Sequence, residues 1–84
     1  MIKNFLKNMI KINIDIPYEE NLVYPTKSIT KNAIVQYCDS ENLKYEFMDD
    51  DEEGNIIVKI NGKCYEVIRP FVGRGGYAII CRPN

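Results

Sequence analysis

Apolar and polar residues alternate strictly at the start of the chain: Ile10, Ile12, Ile14 and Ile16 are separated by Lys11, Asn13 and Asp15. A period of two puts one face of a strand into a core and the other toward water. Ahead of it, Ile2, Phe5, Leu6 and Met9 fall at i, i+3, i+4 and i+7, so residues 1–9 are read as a short amphipathic helix over 2–8 or an N-terminal extension. So short a helix needs tertiary contacts to persist. Pro17 to Pro25 reads as a connection. Thr26 then offers a hydroxyl to cap a helix over residues 27–41, with Ile29, Ala33, Ile34, Tyr37 and Cys38 as its apolar stripe. Asn42 is placed to end that helix in a left-handed conformation and to return Leu43 toward its last turn.

The pattern then switches to strands. Leu43, Tyr45 and Phe47 alternate with Lys44, Glu46 and Met48. The run Asp49 to Glu53 leads into Gly54-Asn55, a turn signal. Residues 56–60 and 63–69 flank Asn61-Gly62, the dipeptide suited to a two-residue type I′ turn. That turn sets the register: Ile60 faces Lys63, Val58 faces Tyr65 and Ile56 faces Val67. One hairpin surface is then mostly apolar, and the other carries Ile57, Lys59, Cys64, Glu66 and Ile68. After Pro70 a glycine-rich connection leads to a strand over 77–82, whose apolar run Tyr77 to Cys81 suits a position covered on both faces. The expected fold is α+β: one helix on a mostly antiparallel sheet of four to five strands, in the order strand, helix, then four strands.

With 84 residues, the chain has room for one core and one domain. No apolar run reaches the roughly 20 residues of a membrane helix, and the N-terminus lacks signal-peptide character, so a cytoplasmic location with no membrane span is expected. Cys38, Cys64 and Cys81 are widely spaced and suggest neither a disulfide framework nor a zinc site. Charge divides along the chain. Residues 1–53 hold six Lys against eleven Asp and Glu; residues 54–84 hold Lys59, Lys63, Arg69, Arg74 and Arg82 against Glu66. The basic part can support contact with an anionic partner.

The sequence has no histidine, which removes the usual general base and the commonest metal ligand, so the chain is read as a non-enzyme without a cofactor. Asp49, Asp51 and Glu53 before Gly54 imitate the opening of a calcium loop, but its closing bidentate position falls on Ile60 and both flanks read as strands. No metal is expected. The distinctive stretch is Gly73-Arg74-Gly75-Gly76-Tyr77: glycines let amides converge, Arg74 adds a planar cation and Tyr77 a stacking face. The candidate binding residues are Arg69, Gly73, Arg74, Gly75, Gly76, Tyr77 and Arg82. The bland alternative is a turn that needs positive φ, with Tyr77 in the core. Apolar residues around Tyr77 to Ile80 exceed what one helix covers, so a protein partner or a second copy of the chain is expected there. Nucleic-acid or polyanion binding by Arg74 and the basic part is the alternative.

Tyr24-Pro25-Thr26, the helix with Ala33, Ile34 and Tyr37-Cys38, then Lys44 to Phe47, Asn61-Gly62-Lys63, Tyr65-Glu66 and Arg74-Gly75-Gly76-Tyr77 ending at Cys81 resemble the small bacterial family called domain of unknown function 4318. The resemblance covers residues 10–82, nearly the whole chain, and its most particular element is the Arg-Gly-Gly-Tyr stretch followed by Cys81. Residues 1–8 and the long acidic loop read as additions to that pattern. The resemblance implies a compact bacterial domain and brings no activity or mechanism with it.

Overall fold

The computed structural model describes residues 12–19 and 22–84. The expected helix over 2–8 and the first residues of the alternating isoleucine strand lie outside them. Five strands, β1 (Ile14–Ile16), β2 (Tyr45–Phe47), β3 (Ile57–Ile60), β4 (Lys63–Ile68) and β5 (Ile79–Pro83), join one helix, α1 (Lys27–Ser40), between β1 and β2. The strands form one antiparallel sheet in the order β1-β5-β4-β3-β2. Helix α1 therefore carries the chain from one edge strand to the other, packing on one sheet face. The α+β fold and its element order are as the sequence pattern predicts.

Local chemistry explains the joints. The Thr26 hydroxyl accepts from Ile29 N–H at 3.2 Å and caps α1. At its far end Asn42 sits at φ 57, and Leu43 N–H donates to Cys38 C=O at 2.8 Å, so the chain leaves through a left-handed residue. The hairpin register is the predicted one, with Ile60 opposite Lys63 and Val58 opposite Tyr65. Asn61 at φ 50 and Gly62 at φ 83 give the two positive φ values of a type I′ turn.

Two boundaries differ from the pattern. The strand at Ile14–Ile16 is shorter than the alternation suggests, and Ile12 is exposed. Continued pairing would set Ile12 opposite Pro83, which has no N–H to donate to that edge. Of the predicted stripe of α1, Ile34 and Cys38 are buried and Ala33 and Tyr37 pack partly buried against the core, but Ile29 is 42% exposed and Thr30 is buried instead. Thr30 tolerates complete burial because its hydroxyl donates to Thr26 C=O at 2.7 Å.

The core lies between this stripe and one sheet face: Ile16, Ile56, Val58, Ile60, Tyr65, Val67, Ile79 and Cys81 are buried. Burial pushes the Cys81 thiol up to about 12, with the nearby Cys38 thiol adding to the shift, and raises Cys38 as well. Both stay protonated inside the core. The reverse face holds Ile57, Lys59, Glu66, Ile68 and Ile80, all partly exposed. Strand β5 is internal to the sheet, as expected, but among the described residues only its helix side is fully covered. No helix among these residues is long and apolar enough to cross a membrane.

Candidate functional site

Three connections gather at the end of the sheet where α1 begins: residues 17–26, 48–56 and 69–78. The last is a small hairpin extension. Phe71 and Tyr77 form an isolated antiparallel bridge, and Ala78 N–H donates to Pro70 C=O at 2.9 Å. Gly73–Gly75 make a single 3-10 turn between them. Val72 N–H donates to Gly76 C=O at 2.7 Å and Gly76 N–H to Gly73 C=O at 2.9 Å, so both amides are engaged within the turn. Gly76, at φ 75 and ψ −142, occupies a region open essentially to glycine alone. The positive φ expected of this turn is thus present at Gly73 and Gly76.

That geometry aims side chains. Tyr77 is partly buried and meets Tyr24 and Phe71 edge to face, each with ring centroids 5.2 Å apart. The Arg69 guanidinium lies over Tyr24 at 5.1 Å and donates from Nη1 to Pro25 C=O at 3.0 Å. Arg69 thus ties the glycine-rich connection to the start of α1, and Tyr18 Oη–H steadies the connection that precedes α1 by donating to Val23 C=O at 2.6 Å.

Around this aromatic knot the surface is apolar. Of nine exposed large hydrophobics among the described residues, five sit here: Leu22, Val23, Tyr24, Phe71 and Val72. Leu22 and Phe71 are 81% and 65% exposed, so this rim lies open rather than tucked against the fold. Sequence pattern alone does not single these residues out. The available signal is their position, an apolar Phe71-Val72 pair between Pro70 and Gly73 and an apolar run before Pro25, where polar turn residues are the norm.

The structure brings together Arg69, Gly73, Arg74, Gly75, Gly76 and Tyr77, and separates Arg82 from them. Arg82 lies five positions along the strand from Tyr77, roughly 16 Å at strand rise, and on the reverse face, where it pairs with Glu66 at 2.5 Å. Lys59 stands opposite Glu46 on that same face, and Lys63 flanks the Asn61-Gly62 turn at the other end of the sheet. The surface expected around Tyr77 to Ile80 is likewise divided, since Ile79 is buried under α1 while Ile80 stands beside Ile68 on the reverse face.

The acidic connection beside the rim is built differently. Asp51 Oδ1 accepts from Glu53 N–H at 2.9 Å and Asn55 N–H at 2.8 Å, and Asn55 Nδ2 donates both to Asp51 and to Glu66. These bonds, the Asn55 amide first, hold the Asp51 carboxyl below its ordinary range. Asp50 is lowered chiefly by its 2.6 Å hydrogen bond from Lys27. Asp51, Glu53 and Glu66 bring carboxylate oxygens within 4.8 Å of one another, an arrangement that could meet a cation, yet Asp51 and Glu66 already accept from Asn55 and Arg82. At the opposite end a groove of about 430 Å³ is lined by Ile12, Lys63, the free Cys64 thiol and Tyr65 among others. No family model, curated protein or solved structure matches the chain.

Proposed function

We propose that the domain is a non-enzymatic protein-interaction module of the cytoplasm that meets its partner through the rim of Leu22, Val23, Tyr24, Phe71 and Val72. The observation that carries this reading is the concentration of exposed apolar side chains on two connections locked to each other by Arg69, Tyr24 and Tyr77. A rigid platform loses little conformational freedom on binding, and aromatic anchors contribute most to interface energy. The resemblance to domain of unknown function 4318 adds no activity to this reading.

The test is selection of a displayed random-peptide library on the wild-type protein, with Phe71→Ser as the counter-target. Sequences enriched on the wild type and lost on the variant support the module. Selection that treats the two proteins alike sinks it. Sedimentation equilibrium asks whether the partner is a second copy: a dimer that dissociates in Phe71→Ser assigns the rim to self-association. Arg69 and Arg74, which make no ion pair among the described residues, favour a second reading, a nucleic acid or other polyanion at the same turn. Binding of oligonucleotides that weakens with salt and with Arg74→Ala would support it.

A further inference from the structure

Resting on that reading, we infer that the partner's contacting segment is an acidic peptide with apolar anchors, an aliphatic or aromatic side chain seated against Tyr24, Phe71 and Val72 and a neighbouring carboxylate held by Arg69 and Arg74. The two arginines carry the charge half of the argument. The described residues hold only two ion pairs, Lys27 with Asp50 and Arg82 with Glu66, so the glycine-rich connection presents cations that no carboxylate among the described residues neutralises. Arg69 is held in place by Tyr24 and uses one N–H on Pro25 C=O. Its remaining donors have no partner among the described residues. A guanidinium fixed by stacking is pre-organised to grip a carboxylate in two-point fashion. Arg74, at the exposed tip, adds a second cation without structural duties of its own.

Among the described residues, neighbouring acids do not cancel this charge internally. Asp50 and Asp51 are engaged by Lys27 and Asn55. Glu19 lines a different depression, with Ile29, Asn32, Ala33 and Gln36 on the flank of α1.

A peptide fits better than a nucleic acid. A polyanion gains from many phosphate contacts, and two arginines would release counterions for a salt slope of only about −2. The other cations of the basic half are on the reverse face or at the far end of the sheet, so an extended polyanion finds no further phosphate contacts beside Arg69 and Arg74 among the described residues. The aliphatic surface of Leu22, Val23 and Val72 likewise matches apolar side chains rather than phosphates.

Two readouts test the inference apart from the module itself. The composition of the selected peptides is the first: enrichment of Asp or Glu beside Leu, Phe or Trp is expected, and selected sequences that are neutral or basic overturn the acidic partner while leaving the module standing. The second is fluorescence anisotropy with a labelled peptide alternating Glu with Leu and Trp, its Lys-for-Glu counterpart, and a single-stranded oligonucleotide. The Glu peptide is expected to bind at least about tenfold tighter than the Lys peptide and to lose about tenfold with Arg74→Glu, the scale of one charge-assisted contact. Phe71→Ser should lose a similar factor. Equal affinity for both peptides, tighter binding of the oligonucleotide, or indifference to Arg74→Glu overturns the proposal.

Discussion

The acidic and the glycine-rich connections leave the same end of the same sheet, yet they treat their functional groups in opposite ways. In residues 48–56, Asp50, Asp51 and Asn55 are turned inward on Lys27, on local amides and on Glu66. In residues 69–78 the backbone closes on itself, while Phe71, Val72 and Arg74 are left facing outward. One connection satisfies its polar groups to hold a turn; the other uses glycine geometry to present a surface. Highly charged stretches draw attention in a sequence, but here the charged loop is the structural one. The exposed apolar side chains of this end, Phe71 and Val72, belong to the less charged loop.

Substitutions can break this contrast, and the largest effect is expected at the backbone of the presenting loop. Gly76→Ala forces a side chain into φ 75, ψ −142 and should lower unfolding free energy by about 1–3 kcal/mol, measured by urea denaturation. A smaller loss is expected from Asp51→Ala, which removes the acceptor for the Glu53 and Asn55 amides, and its pH dependence is diagnostic. The folded pKa of Asp51 lies below its unfolded value, so its contribution is complete above the unfolded pKa of about 4 and disappears as pH falls through the folded pKa. Wild type and Asp51→Ala should therefore differ in thermal midpoint at pH 7 and converge in acid. Smaller again is Asp50→Asn, which removes an exposed pair with Lys27; its effect on the midpoint should shrink when salt is raised to 1 M. Least of all, Phe71→Ser and Arg74→Glu should leave stability within about 0.5 kcal/mol of wild type. A marked destabilisation by Phe71→Ser would place that ring in the fold and erase the contrast.

Much of the fold is legible in local sequence. Asn61-Gly62 fixes a hairpin register because two consecutive positive φ values are easy for those residues, and Thr26 and Asn42 mark the helix ends through their own chemistry. What escapes is decided by distant partners. Burial of Thr30 instead of Ile29 depends on a hydroxyl that satisfies itself on Thr26, and β1 stops early because of a proline on the strand beside it. The candidate site divides in the same way. Gly73 to Tyr77 stand together because they are contiguous. Arg82 could have been set aside on parity alone, since an odd number of strand positions separates it from Tyr77 and puts the two on opposite faces. Tyr24 is invisible as a site residue until the fold lays its ring against Tyr77 and Arg69.

The most direct test of the rim as the recognition surface is an amide-shift map of the isotopically labelled protein titrated with the Glu-Leu-Trp peptide. Saturable changes concentrated at residues 22–25 and 69–77, with residues 49–55 and the reverse-face positions Ile57, Ile68 and Ile80 unmoved, are the predicted result. Changes centred on the acidic connection or the reverse face, or no change at all, would contradict it.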